Sequence, residues 1–392
     1  MASWVWKAIL CSTMAVFGGG CGRVAARVGD AVDVSTEVGG AGGASTGSAA
    51  AGGSAVPPGP FTAWMPCQTL TAERAPRAPH ALAASADRRW LAILDAPLRY
   101  PGDPGPPVPD DRGFQSVALW NLPSSAIALR ITNVAFGFDV DLSPDGTLLA
   151  ISGDGVQLTR TQGSGAQPLS DSQLTWGYPP PADVPADGSW VRNLTFSPDG
   201  SLLASGRYHD VELIRSDSGV SVDKLVSKVS SPGVAFSPDG LYFASSTPSL
   251  WRVADATSVW AHQGAGPIAA CTNACITDNW ATFSPDGALL LTQSAQANDL
   301  PVAHGLTWDT TTTLLDAASG TVLRSLGADL PRRPTFSPDG RWILAGDRLI
   351  DVRSGEASPL GVPAMISLFL SDGRIAVADA SGAVSLLCPL PP

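Results

Sequence analysis

Phe336-Ser337-Pro338-Asp339-Gly340, followed by Trp342-Ile343-Leu344, decides the fold because the chain repeats it. Ser-Pro-Asp-Gly begins at Ser143, Ser197, Ser237, Ser284 and Ser337, preceded by Phe in four copies and by Leu142 in the other. Two degenerate copies, Ser85-Ala86-Asp87-Arg88 and Ser371-Asp372-Gly373, flank the set and bring it to seven. Proline presets φ at the first corner of a turn, aspartate bonds back to the local backbone, and glycine supplies a positive φ. An apolar run enters the turn, as in Val191–Phe196, and another leaves it, as in Leu202-Leu203-Ala204. Two such runs around a tight turn predict a hairpin.

A third run follows in most units: Val117–Trp120, Val211–Ile214, Leu250–Val253, Thr313–Leu315 and Leu349–Val352. A fourth is clearest in Thr321–Leu326. Four short antiparallel strands in each unit of roughly 40 to 50 residues describe a propeller blade. The sequence therefore predicts an all-β chain, a seven-bladed β-propeller of four-stranded antiparallel blades over residues 61–392. A right-handed β-solenoid is the structural alternative, but its repeats are shorter and more uniform.

The pattern resembles the WD-repeat and TolB-like propellers over roughly residues 64 to 388, most closely at the pentapeptide above and at Leu314-Leu315-Asp316-Ala317-Ala318-Ser319-Gly320. It has no Gly-His pair, and its one Trp-Asp, Trp308-Asp309, lies inside an insertion, so the TolB-like variety fits better. The first 20 residues read as a signal peptide: Lys7, the apolar stretch Ala8 to Phe17, then Gly18-Gly19-Gly20-Cys21. This resembles a bacterial lipoprotein signal, which implies lipidation of Cys21 and a tether to the cell envelope, at the outer membrane or periplasmic face. Plain secretion, or an uncleaved anchor, is the alternative. Residues 21–60, rich in Gly, Ala, Ser and Pro, predict a flexible linker.

A ring made of one chain must hold its last blade to its first. The final repeat supplies three strands, near Met365–Leu370, Arg374–Ala378 and Ala383–Leu387, while Trp64 to Leu70 precedes the first repeat without an assignment. The economical reading makes that segment the outer strand of blade seven. Cysteine arithmetic agrees. With Cys11 lost and Cys21 lipidated, Cys67, Cys271, Cys275 and Cys388 remain, and in an oxidising compartment they suggest two bridges. Cys67–Cys388 would staple the closure, and Cys271–Cys275 would pin a small loop. A zinc site at the second pair lacks nearby Cys or His partners.

Strands of a blade alternate in direction, so connections from second to third strands, and from fourth strands to the next blade, share one end of the disc. Four insertions are expected there: Asp95 to Phe114, Gly163 to Ser189, Gly264 to Asn279 and Ala295 to Asp309. Long loops on a rigid scaffold are where recognition concentrates. Tyr100, Trp176, Tyr178 and Trp190, in or beside these insertions, are the candidate binding-face residues. Equally, they could fold over the face as local plugs.

Chemistry is sparse. Formal charge is −11 with no run of Lys or Arg, against nucleic-acid binding. His80, His209, His262 and His304 show no metal-ligand spacing. Gly43-Ala44-Ser45-Thr46-Gly47 matches a nucleophile elbow formally but lies in the linker. Asp139, Asp141 and Asp145 superficially resemble a calcium loop without its closing Glu, and a structural role is expected for them. No catalytic residue, metal or cofactor is assigned. The functional expectation is a non-catalytic envelope scaffold, monomeric, that binds a protein or other partner on the long-loop face. Alternatives are a hydrolase-like or lactonase-like propeller enzyme with its site at the central channel, and a subunit of an envelope translocation assembly.

Overall fold

The computed structural model describes residues 64–70, 79–95, 115–134, 137–153, 155–161, 176–178, 191–206, 210–226, 233–246, 248–262, 279–297, 308–328 and 330–390. Among the described residues there are 28 strands and no helix, and the strands form seven four-stranded antiparallel sheets. Six sheets take four consecutive strands each, opening with Pro79–Ala84, Val140–Leu142, Asn193–Phe196, Val234–Phe236, Trp280–Phe283 and Thr335–Phe336 for blades one to six. Blade seven combines Ile366–Phe369, Ile375–Ala378 and Val384–Pro389 with the first strand of the chain, Trp64–Leu70. Each blade's first strand touches the first strands of both neighbours, so these seven line the axis as a closed ring.

The closing strand is antiparallel to Val384–Pro389, with Met65 opposite Cys388 and Leu70 opposite Val384. The Cys67–Cys388 disulfide bridges the two strands, with its Cα atoms 5.7 Å apart. Trp64 sets its ring edge-on to Phe369 of the same blade, centroids 6.4 Å apart.

Blades stack face to face, so a second strand is covered on both sides and reads as unbroken apolar sequence. Trp342–Ala345 and Ile375–Ala378 are buried at every position. Seven apolar clusters of the described residues fill the seven gaps between adjacent blades. In the gap that closes the ring, Leu91, Trp120 and Leu122 of blade one meet Ile366, Leu368 and Leu386 of blade seven. A fully buried leucine such as Leu91, Leu149, Leu203 or Leu290 contributes about 1.5–3 kcal/mol relative to exposure. Fourth strands lie at the rim and are mostly exposed, as in Ser258–Ala261 and Ala357–Pro359.

The repeated turn is held by three side-chain bonds. In blade three the Ser197 hydroxyl donates to Asp199 Oδ1 (2.6 Å) and accepts from the Leu202 amide (2.9 Å), while Asp199 Oδ1 also accepts the Ser201 amide (3.0 Å). The degenerate first copy keeps this chemistry. Ser85 donates to Asp87 and accepts from the Trp90 amide, and Arg88 adopts φ +65° where the full copies have glycine. Serine and aspartate carry the turn; glycine only removes the strain of its left-handed corner.

Candidate functional site

The first strands all run the same way around the axis, so the disc has two distinct ends. Ser-Pro-Asp-Gly turns occupy the end where the first strands finish. At the other end, where they start, a polar plug crosses the axis. Arg333, in the connection into blade six, donates through Nη1 to Asp139 Oδ1 and through Nη2 to the Phe138 carbonyl (2.9 Å), both at the start of blade two. Blades two and six are not neighbours, so these bonds span the ring. The Arg333 and Asp139 side chains are only 5% and 2% exposed.

Neighbouring groups fix this pair. The Gln293 side chain accepts the Arg333 amide (2.9 Å) and donates to Thr312 Oγ1 (3.0 Å) and the Pro331 carbonyl (3.1 Å). The Arg333 guanidinium lies 5.2 Å from the Trp280 ring centroid, and Arg192 lies 4.6 Å from that of Phe138. Arg333 itself takes φ +61°, which aims its side chain at the cost of backbone strain.

Asp139 and Asp141 also serve the inner edge of the next blade. Asp139 Oδ2 accepts the Leu194 amide (3.0 Å) and Asp141 Oδ2 accepts the Phe196 amide (2.8 Å). First strands have one edge without a sheet partner, and these carboxylates satisfy two of its N–H groups. The expected structural role of both aspartates holds, by this means. Burial raises the Asp141 pKa to about 7, with repulsion from Asp139 adding to it and amide donation from Phe196 and Leu142 opposing it.

At the opposite end four of the turn carboxylates are held anionic. The Ser143, Ser197, Ser237 and Ser284 hydroxyls hold Asp145, Asp199, Asp239 and Asp286 below the usual carboxylate range, helped by the backbone N–H two residues on. Between blades four and five this end opens into a groove of about 520 Å³. Its floor includes Leu250 and Phe283, and its rim carries Asp239 and Asp286. Beside it, the outer edges of the two blades are tied where Trp260 Nε1 donates to the Ala317 carbonyl (3.0 Å) and His262 Nε2 lies 2.6 Å from the Gly320 carbonyl.

Of the candidate residues, Cys67 and Cys388 come together as the disulfide. Cys21, Cys271, Cys275, Tyr100, Trp190, His209 and His304 lie outside the described residues. His80 is buried at an irregularity that opens the first strand of blade one. Trp176 and Tyr178 require a correction. They form the short strand Trp176–Tyr178, which pairs with Val156–Leu158 as the fourth strand of blade two. The stretch Gly163 to Ser189 is therefore not one insertion on one end. Residues 161–175 join third to fourth strand on the Ser-Pro-Asp-Gly end, and 179–192 lead to blade three from the other. A three-residue outer strand has too little pattern to be seen inside a loop-like composition.

The other three insertions do leave from the plugged end. The one in blade five rides on a longer support than expected, because its strands continue as a ladder to Ala297 opposite Trp308. Arg333 and its link to Asp139 escaped the sequence reading, since nothing local marks two residues so far apart. The groove was missed as well, though the positions after each third strand carry its signal.

Residues 183–210 match the family model "WD domain, G-beta repeat", a span that contains the first turn of blade three. No curated protein matches the chain. The repeat match and the seven-bladed ring together support a propeller built from WD-type repeats, an architecture that in general serves as a protein-interaction scaffold.

Proposed function

We propose that this chain is a non-catalytic scaffold of the bacterial cell envelope, exported, tethered through a lipid on Cys21, and engaging a protein partner on the plugged, long-loop end of the ring. One observation carries the reading. That end combines a rigid base, the buried Arg333–Asp139 pair, with the departure points of residues 96–114, 263–278 and 298–307. A fixed platform under long connections is suited to recognition. Both oxygens of Asp139, and both of Asp141, already accept hydrogen bonds in the wall and plug, which favours binding over acid–base work. Lys7, the apolar stretch Ala8 to Phe17 and Gly18-Gly19-Gly20-Cys21 are the support for an envelope setting.

The test replaces residues 298–307 by a Gly-Asn turn and, separately, shortens 96–114, then compares co-purified proteins from envelope extracts. The same partner should be captured by the parent chain and lost from at least one variant whose melting temperature is unchanged. Retention of every partner by both variants refutes the site. Detergent phase partitioning of the parent and of Cys21→Ser tests the tether: only the parent should enter the detergent phase.

A further inference from the structure

The groove between blades four and five has the chemistry of a receptor for a cationic side chain. Its cause is a missing side chain. The residue that follows each third strand donates its amide back across its blade: Leu122 to Arg89, Thr161 to Thr147, Ser216 to Ser201, Val253 to Leu241, Ala317 to Ala288 and Val352 to Arg341. Where this residue is large it fills the gap toward the preceding blade, as Leu122 does between blades one and seven and Val352 does between six and five. Blade five has Ala317 there, the smallest of the series, and the space beside it is the groove.

A second difference falls at the same place. In blades two and three the residue after the turn is Thr147 or Ser201, and its hydroxyl donates to Oδ2 of Asp145 (2.9 Å) or Asp199 (2.8 Å). In blades four and five that residue is Leu241 or Ala288, which has no hydroxyl. Oδ1 of Asp239 and of Asp286 is engaged by the turn serine and a backbone amide, while Oδ2 of each has no hydrogen-bond partner among the described residues. Two anionic oxygens thus face solvent at the rim of a slot lined in part by Leu250, Phe283 and Ala317; Val259 of its lining is 45% exposed, and Leu241, next in sequence to Tyr242 of the lining, is 59% exposed.

We infer that this groove binds an arginine or lysine side chain of a partner protein, the hydrocarbon stem lying on Tyr242, Leu250 and Ala317 and the charged head reaching Asp239 and Asp286. Apolar flanking residues of the partner would cover Leu241 and Val259. Cationic side chains bury their methylene stems and keep their heads at polar rims, which is the arrangement this slot offers. An anionic occupant is repelled by both oxygens, and a neutral one leaves their charge unbalanced. The volume suits one long side chain and part of its neighbours. The site lies on the Ser-Pro-Asp-Gly end, so it is separate from the long-loop end and does not depend on that reading.

The experiment uses the full chain and a fluorescein-labelled pentapeptide, Ala-Leu-Arg-Val-Ala, against the same peptide with citrulline, the uncharged isostere of arginine. Fluorescence anisotropy should show saturable binding of the arginine peptide with a dissociation constant below about 1 mM, weakened at least tenfold by citrulline. Ala317→Leu, which fills the slot as Leu122 fills its own gap and leaves both turns intact, should abolish binding. Asp239→Asn with Asp286→Asn should weaken it about tenfold. Equal binding of the two peptides, undiminished binding to Ala317→Leu, or no saturation overturns the proposal. Loss of residues 298–307 should leave peptide binding unchanged, which separates this site from the one on the other end.

Discussion

Arg333 and Asp139, 194 residues apart in the chain, form a buried ion pair that joins blade six to blade two across the axis of the ring. Neighbouring blades are held by apolar clusters; this pair links blades that share no cluster. It acts as a strut at one end of the channel, beside the inner strand edges that Asp139 and Asp141 satisfy.

Removal of one partner takes from the other, still buried, the counter-charge of this pair. Arg333→Met or Asp139→Leu alone should cost about 3–5 kcal/mol in urea unfolding, and the double substitution much less than their sum. Additive losses would show that the two side chains act independently.

Acid should loosen the opposite end. Asp145, Asp199, Asp239 and Asp286 have folded pKa values below the ordinary 3.8, so the stability they supply is complete above that value. It disappears as pH falls through the lowered values. The urea midpoint should drop between pH 4 and pH 2.5, and Ser197→Ala with Ser237→Ala should flatten that drop by removing the main donor to two carboxylates.

Asp141 has the opposite sign. Its pKa is raised to about 7, so its contribution is best below the ordinary carboxylate value and is lost as pH rises through 7. Asp141→Asn, which can still accept the Phe196 amide, should raise the urea midpoint at pH 8 relative to the parent and change it little at pH 4. An equal shift at both values would assign the effect to packing.

The disulfide should matter most to the seventh blade. Cys67→Ser with Cys388→Ser should lower stability by about 2–5 kcal/mol, since the bond closes nearly the whole chain into a loop. Hydrogen exchange should rise first in Trp64–Leu70 and Val384–Pro389. Uniform acceleration over all blades would place the weak point elsewhere.

Much of this fold was legible because its determining chemistry is local. Ser197, Asp199 and the Leu202 amide form a complete turn within six residues, and Arg88 shows that even a copy without glycine keeps the bonds. Second strands such as Trp342–Ala345 announce themselves by burial on both faces. The closing strand was readable because Trp64–Leu70 was an apolar segment left over next to an incomplete last repeat. Fourth strands were faint, since exposure at the rim removes the apolar pattern, and Trp176–Tyr178 was lost because three residues are too few to show one. The axial strut had no sequence signal at all. The groove did, because Ala317 stands where Leu122, Val253 and Val352 stand in other blades.

A sheet that pairs Trp64–Leu70 with Val384–Pro389 cannot finish assembling until both strands have been made. Trp64–Leu70 must wait, without its sheet partner, for a strand made more than 300 residues later. A chain truncated before Ile366 would leave blade one without a neighbour on one side, exposing Leu91, Trp120 and Leu122 at an open seam and leaving Cys67 without Cys388. The oxidised bond thereby marks the shut ring, because the two strands it joins are the ones whose pairing completes the last blade.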